Sequence, residues 1–249
     1  MPRWRGGRRA TDTGSREGAH PPAVTNTALT PESPKHTITF QIDMSDDWFR
    51  NATWNEAIQR SFDEKLRRAR RKEQYLRIQA CTLAASHPEV ALELLNRYFA
   101  LPDDFDHAQA YVDRATALLA LARVDEAMAA YEAALAREDE FPNLQTQAYL
   151  DLPYLIATRE IRASYHRAVQ LLEMHESRLT FPVDHFRWNV TRAMIAADSR
   201  DVAAARLHAK RALDFAAREH SGFRYHPAVG LVTKKYDSVI QELQRLGSA

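Results

Sequence analysis

The sequence predicts an all-α fold built from antiparallel helix pairs, and three observations lead there. Only 7 Gly and 11 Pro occur in 249 residues, so turn chemistry is scarce. Ala, Leu, Arg and Glu, the strong helix formers, are abundant. From Thr53 onward, apolar residues recur every three or four positions, which gives a helix one continuous apolar stripe. The charge is nearly balanced, with 34 Lys+Arg against 33 Asp+Glu, and 45% of the residues are hydrophobic. A chain of this length buries a sufficient core without metals or disulfides. With Cys81 alone, neither an intramolecular disulfide nor a cysteine zinc site can form, which fits a cytoplasmic protein.

Residues 1–43 read as a disordered tail. Four of the seven glycines and five of the eleven prolines fall in its first 35 residues, where six basic groups face three acids. No apolar run of signal-peptide length follows the arginines; an organelle transit peptide is the alternative reading. Residues 36–42 alternate polar and apolar as a short strand would, without an obvious partner, and Met44 is an alternative start.

The helical domain spans 44–249. Its first helix is expected over 54–70, opened by the capping-box spacing Thr53 to Glu56 and carrying Trp54, Ile58, Phe62, Leu66 and Ala69 on one face. Ser86 to Glu89 repeats that spacing, with Pro88 tolerated in the first turn. Further helices are expected at about 107–122, 125–138, 144–157, 159–175, 186–198 and 201–218. A capping helix is expected over 232–246, ended by Gly247. Short links such as Arg123-Val124 and Ser199-Arg200 make neighbouring helices antiparallel.

A small-x3-large-x2-small pattern recurs in the second helix of each pair. Ala127-x3-Tyr131-x2-Ala134 follows Tyr111-x2-Arg114-Ala115-x2-Leu118. Looser copies are anchored at Ala91, Ile161 and Ala205, giving steps of 36, 34 and 44 residues. This resembles the tetratricopeptide repeat, W-x2-L-G-x2-Y then A-x3-F over 34 residues, across about 72–218. Departures are Arg114 in place of an apolar residue, Pro153 inside a first helix where a kink or break is expected, and about ten inserted residues, placed at Ser177 to His185.

The resemblance implies a right-handed superhelical solenoid whose first helices line a concave groove. Carried over residue by residue, the lining is Leu76, Ala80 and Leu83, then Val112, Thr116 and Leu119, then Thr146, Leu150 and Tyr154, then Val190 and Met194. A mainly apolar groove implies a protein or peptide partner docked as an amphipathic helix or apolar segment. The stripe Trp48, Phe49, Trp54, Ile58 and Phe62 could instead fill that groove from within. A second surface is the segment 179–188, read as a loop, in which His185, Arg187 and Trp188 combine aromatic and charged groups as binding hot spots do.

Chemistry has weaker signals. The loop 220–227 gathers Ser221, Arg224, Tyr225 and His226, the basis for an alternative hydrolase or transferase reading, but Ser221 lies in no G-x-S-x-G and the chain has no phosphate-binding glycine loop. No H-E-x-x-H occurs, so neither a metal nor another cofactor is expected. Residues 60–77 carry a basic surplus that could meet phosphates, but Asp63/Arg67, Glu64/Arg68 and Glu73/Arg77 have the spacing of paired groups on a solvated helix face. Nucleic acid is therefore disfavoured, no membrane span is expected, and no small-molecule substrate is evident. Cys81, on an Ala- and Leu-rich face, reads as a buried small hydrophobe. The expected function is a non-enzymatic scaffold or adaptor.

Overall fold

The computed structural model describes residues 47–102 and 106–248, which form ten α-helices and no strand among the described residues. The expected tail, the strand at 36–42 and the alternative start at Met44 lie outside the described residues. The helices are α1 (Glu56–Arg68), α2 (Lys72–Leu83), α3 (Pro88–Phe99), α4 (His107–Ala120), α5 (Val124–Glu140), α6 (Ala148–Thr158), α7 (Tyr165–Met174), α8 (Pro182–Asp198), α9 (Val202–Ala216) and α10 (Asp237–Ser248). Single 3-10 turns precede α7 and α10 and follow α7.

Packing follows chain order. Helices α2/α3, α4/α5, α6/α7 and α8/α9 form hairpins, and α2 also meets α4 as α6 meets α8. Small residues let the helices approach closely: Ala91, Ala127, Ala134, Ala168, Ala209 and Ala212 are fully buried. Larger side chains fill the space beside them in three adjoining cores. One lies among α1–α4 around Phe62, Leu83 and Tyr98. Another, around Tyr131, Tyr149 and Trp188, spans α4–α8, and the last, around Phe186 and Leu243, spans α8–α10.

Three of the first helices end alike. At the ends of α4, α6 and α8, Ala122, Glu160 and Arg200 adopt positive φ (57°, 52° and 61°). The next residue's N–H reaches back to the carbonyl of Leu118, Ile156 or Ala196 at 2.9 Å. This is the Schellman closure, which satisfies orphan carbonyls and turns the chain sharply into the second helix. Glycine is the usual occupant, and its absence hid these turns from sequence reading.

Several local expectations are corrected. Helix α1 is capped by Asn55, whose Oδ1 accepts from the Ile58 N–H at 3.0 Å; Thr53 lies before the helix. Helix α3 has no side-chain cap, although Pro88 does occupy its first turn. Helix α6 runs through Pro153, which is buried within it. The segment 179–188 is largely helix: α8 begins at Pro182, its start fixed by the Asp184 carboxylate, which accepts from the Phe181 and Thr180 N–H groups at 3.0 and 3.2 Å. Gly247 lies inside α10 and does not terminate it. The aromatic stripe covers the first core: Trp48 and Phe49 pack on Tyr75 at 4.8 and 4.7 Å, and Asn51 exchanges three hydrogen bonds with the fully buried Gln79.

Candidate functional site

A first helix that packs on its hairpin partner and on the next hairpin is buried on two faces, which decides where the apolar positions of α2, α4, α6 and α8 go. Leu76, Leu83, Leu150 and Trp188 are 3%, 0%, 0% and 7% exposed, and Ala80, Val112 and Val190 are also core. Leu119, Tyr154 and Met194 are half-buried against those cores. A partner therefore cannot reach most of the apolar lining that the family register assigned to a groove. What those helices leave accessible is mainly polar.

Ion pairs bridge two of the successive first-helix pairs, α2 to α4 and α6 to α8. Arg77 on α2 donates to Asp113 on α4 at 3.3 Å, across 36 residues of sequence. Arg187 on α8 donates to Asp151 on α6 at 2.6 Å, again across 36 residues. Similar pairs occur elsewhere: Arg97 on α3 donates to Asp63 on α1 at 2.7 Å, 34 residues apart, and Arg167 on α7 to Glu132 on α5 at 2.8 Å, 35 residues apart. Thus ion pairs recur at nearly the period of the hairpins. Of the expected i, i+4 pairs, only Glu64–Arg68 forms, at 2.9 Å. Asp63 turns to Arg97, Glu73 to Arg71, and Arg77 to Asp106 and Asp113.

Burial tunes these groups. Asp113 sits above the usual carboxylate range because burial disfavours its charge, against hydrogen bonding from Gln109 and the positive charge of Arg77. Burial also works against the Arg187 charge, but Asp151, Tyr236 and Tyr154 together more than offset it. The Arg187 guanidinium lies 4.9 Å from the Tyr154 ring centre, and Tyr154 itself is pushed up to about 12, chiefly by burial. Cys81 is exposed as a residue, contrary to the buried reading. Its thiol is nonetheless half enclosed, and burial, then the Asp113 carboxylate, push it up to about 11, so it stays a protonated thiol at neutral pH.

A cleft of about 570 Å³ opens beside the starts of α4 and α6, lined by Gln109, Gln145, Gln147, Tyr149, Ser177 and Thr180. Its wall is rigid. Arg178 donates to Glu138 at 2.8 Å and to the Thr146 carbonyl at 2.6 Å, and lies 4.1 Å from the Tyr149 ring centre; Glu138 in turn accepts from the Thr146 N–H and hydroxyl. Its mouth is rich in amides and hydroxyls, which pair with main-chain groups of an extended polypeptide. The sequence reading missed these glutamines because they belong to no repeat motif.

The remaining surfaces have structural uses. His185 stacks on Phe215 at 4.6 Å and is shifted below the usual histidine value by burial, then by Arg218. Trp188 donates its indole N–H to the Leu172 carbonyl at 3.3 Å. In the loop 220–227, the Ser221 hydroxyl donates to the His226 carbonyl at 2.8 Å and accepts from the Phe223 N–H at 3.2 Å, so it closes its own turn. Gly230 has φ +68°, and a Cβ there would come 2.4 Å from Phe181; its carbonyl accepts from the Val183 N–H at 2.8 Å, which ties this segment to α8. No cluster of three His, Cys, Asp or Glu able to hold a metal ion occurs among the described residues. No described helix is long and apolar enough to cross a membrane. Comparison with family models, with curated proteins and with solved structures finds no match.

Proposed function

We propose that this chain is a non-enzymatic cytoplasmic scaffold, a right-handed superhelical solenoid of tetratricopeptide-like hairpins that holds a protein partner. The observation that carries the reading is the recurrence of ion pairs at one-hairpin spacing, Arg77–Asp113 and Arg187–Asp151 between first helices, Arg167–Glu132 between the second helices α7 and α5, and Arg97–Asp63 between α3 and α1. Contacts between equivalent helices of successive units are what a stacked repeat array requires. The buried alanines and the common turn after α4, α6 and α8 support the same arrangement. With the apolar first-helix positions occupied by the core, the partner contacts fall to the polar cleft around Gln109, Gln145 and Gln147, which suits an extended polypeptide more than an apolar helix.

The test is affinity capture from native extract with mass spectrometry, comparing the wild-type chain with Q145A/Q147A, two exposed substitutions that leave the cores intact. A reproducible partner retained by the wild type and lost by the variant supports the reading. Steady turnover of a substrate by the purified chain, abolished by His226→Ala, would overturn it in favour of an enzyme.

A further inference from the structure

The first hairpin and α1 enclose a groove of about 400 Å³ whose floor is Leu66, Leu76 and Leu101 and whose rim carries Arg67, Lys72 and Arg97. Leu66 and Leu76 are almost wholly buried in the core beneath, so the floor is fixed in place. Arg97 is held against Asp63 at 2.7 Å and forms a wall. Arg67 and Lys72 are exposed and make no ion pair among the described residues.

The local charge balance is one-sided. Every acid between positions 63 and 73 already has a cationic partner: Asp63 with Arg97, Glu64 with Arg68 and Glu73 with Arg71. Lys65, Arg67, Arg70 and Lys72 are left without a counter-charge beside an apolar depression. We infer that the α1–α2–α3 groove docks an acidic segment of a partner protein, with one bulky apolar side chain on the leucine floor and flanking carboxylates on Arg67 and Lys72. This rests on the scaffold reading and adds a second contact, with its own chemistry, to the polar cleft.

Charge complementarity selects this occupant. The chain's own residues 1–35 carry six basic groups against three acids, the same sign as the rim. Nucleic acid would match the cations, but single-strand binding also uses aromatic platforms for the bases, and this groove is lined by leucines without an aromatic ring. An apolar anchor ringed by charge is the ordinary anatomy of a peptide-docking site.

The probe is a fluorescein-labelled peptide in which a Phe-Leu pair is flanked on both sides by Glu, followed by anisotropy against the full chain. The wild type is expected to bind. R67E/K72E, which alters exposed unpaired groups and keeps the helical circular dichroism, is expected to weaken binding by at least about tenfold, as is replacement of Phe-Leu by Ser-Ser in the peptide. Equal affinity in either comparison would overturn the proposal. So would a single-stranded oligonucleotide that binds the wild type while the peptide does not, or self-association of the chain that R67E/K72E abolishes. If the peptide fails while extract partners are still captured through the Gln145/Gln147 cleft, the groove is withdrawn and the scaffold reading stands.

Discussion

Arg187 and Asp151 meet at 2.6 Å between α8 and α6, with only 15% and 21% of their side chains exposed. Arg77 and Asp113 make the corresponding contact between α2 and α4, with the order of charges reversed along the chain. Each pair ties the first helix of one hairpin to the first helix of the next. A charge placed there is costly to bury alone, so the pair favours the register in which both partners meet. In this account the ion pairs specify alignment, while the alanine crossings and leucine-rich cores supply most of the stability.

Overpacking a crossing tests the close approach. Ala127 is fully buried where α5 meets α4. Ala127→Leu is expected to destabilise the chain by roughly 1–3 kcal/mol, because the added side chain forces backbone shifts or strained rotamers. Urea denaturation with an unchanged m-value reads this directly. A cost near zero would place that alanine at a loose contact.

The three positive-φ turns predict the opposite sign. Ala122, Glu160 and Arg200 hold a conformation that glycine adopts without a Cβ penalty. Replacing any one of them with Gly is expected to raise stability by about 0.5 kcal/mol, after the added freedom of glycine in the unfolded chain is subtracted. Thermal melts of the single variants and the triple variant check this. A uniform loss of stability would show that these residues do not adopt positive φ.

Acidification through the histidine range should weaken the fold. His175, His185 and His208 all lie below the usual histidine value, first through burial and then through nearby arginines: Arg178 for His175, Arg218 for His185, and Arg192 and Arg211 for His208. Above about pH 6.5 both folded and unfolded forms are neutral, and nothing is lost. As pH falls below that value the unfolded chain takes up protons first, so stability declines until the folded-state values are reached and then levels off. Asp113, raised by burial, works in the opposite sense. Denaturation midpoints at pH 7.5 and 5.5 should differ in the wild type and draw together in H175Q/H185Q/H208Q; an equal drop in both would assign the effect elsewhere.

The helix content was legible because Ala, Leu and Glu at three-to-four-residue spacing leave little choice of local structure. Helix starts were less so: Asn55 caps α1 two residues after Thr53, and α8 begins at Pro182, four residues before its expected start at 186. The positive-φ turns carried no glycine to mark them. Periodicity identifies the apolar side of a helix but not what covers it, and Leu76, Leu83 and Leu150 lie in the core rather than on an open surface. Long-range pairs such as Arg97 with Asp63 and Arg77 with Asp113 were hidden because i, i+4 partners competed for Asp63 and Arg77 in the sequence.

The most direct test of the hairpin register is a double-mutant cycle on the pair that ties α6 to α8. D151N and R187Q are each expected to cost on the order of 2 kcal/mol, because each strands a largely buried partner, whereas D151N/R187Q is expected to cost about as much as one of them alone. A coupling of that size would confirm that positions 36 residues apart face each other across successive hairpins. Strictly additive losses would contradict it, and with it the stacked arrangement on which the scaffold reading depends.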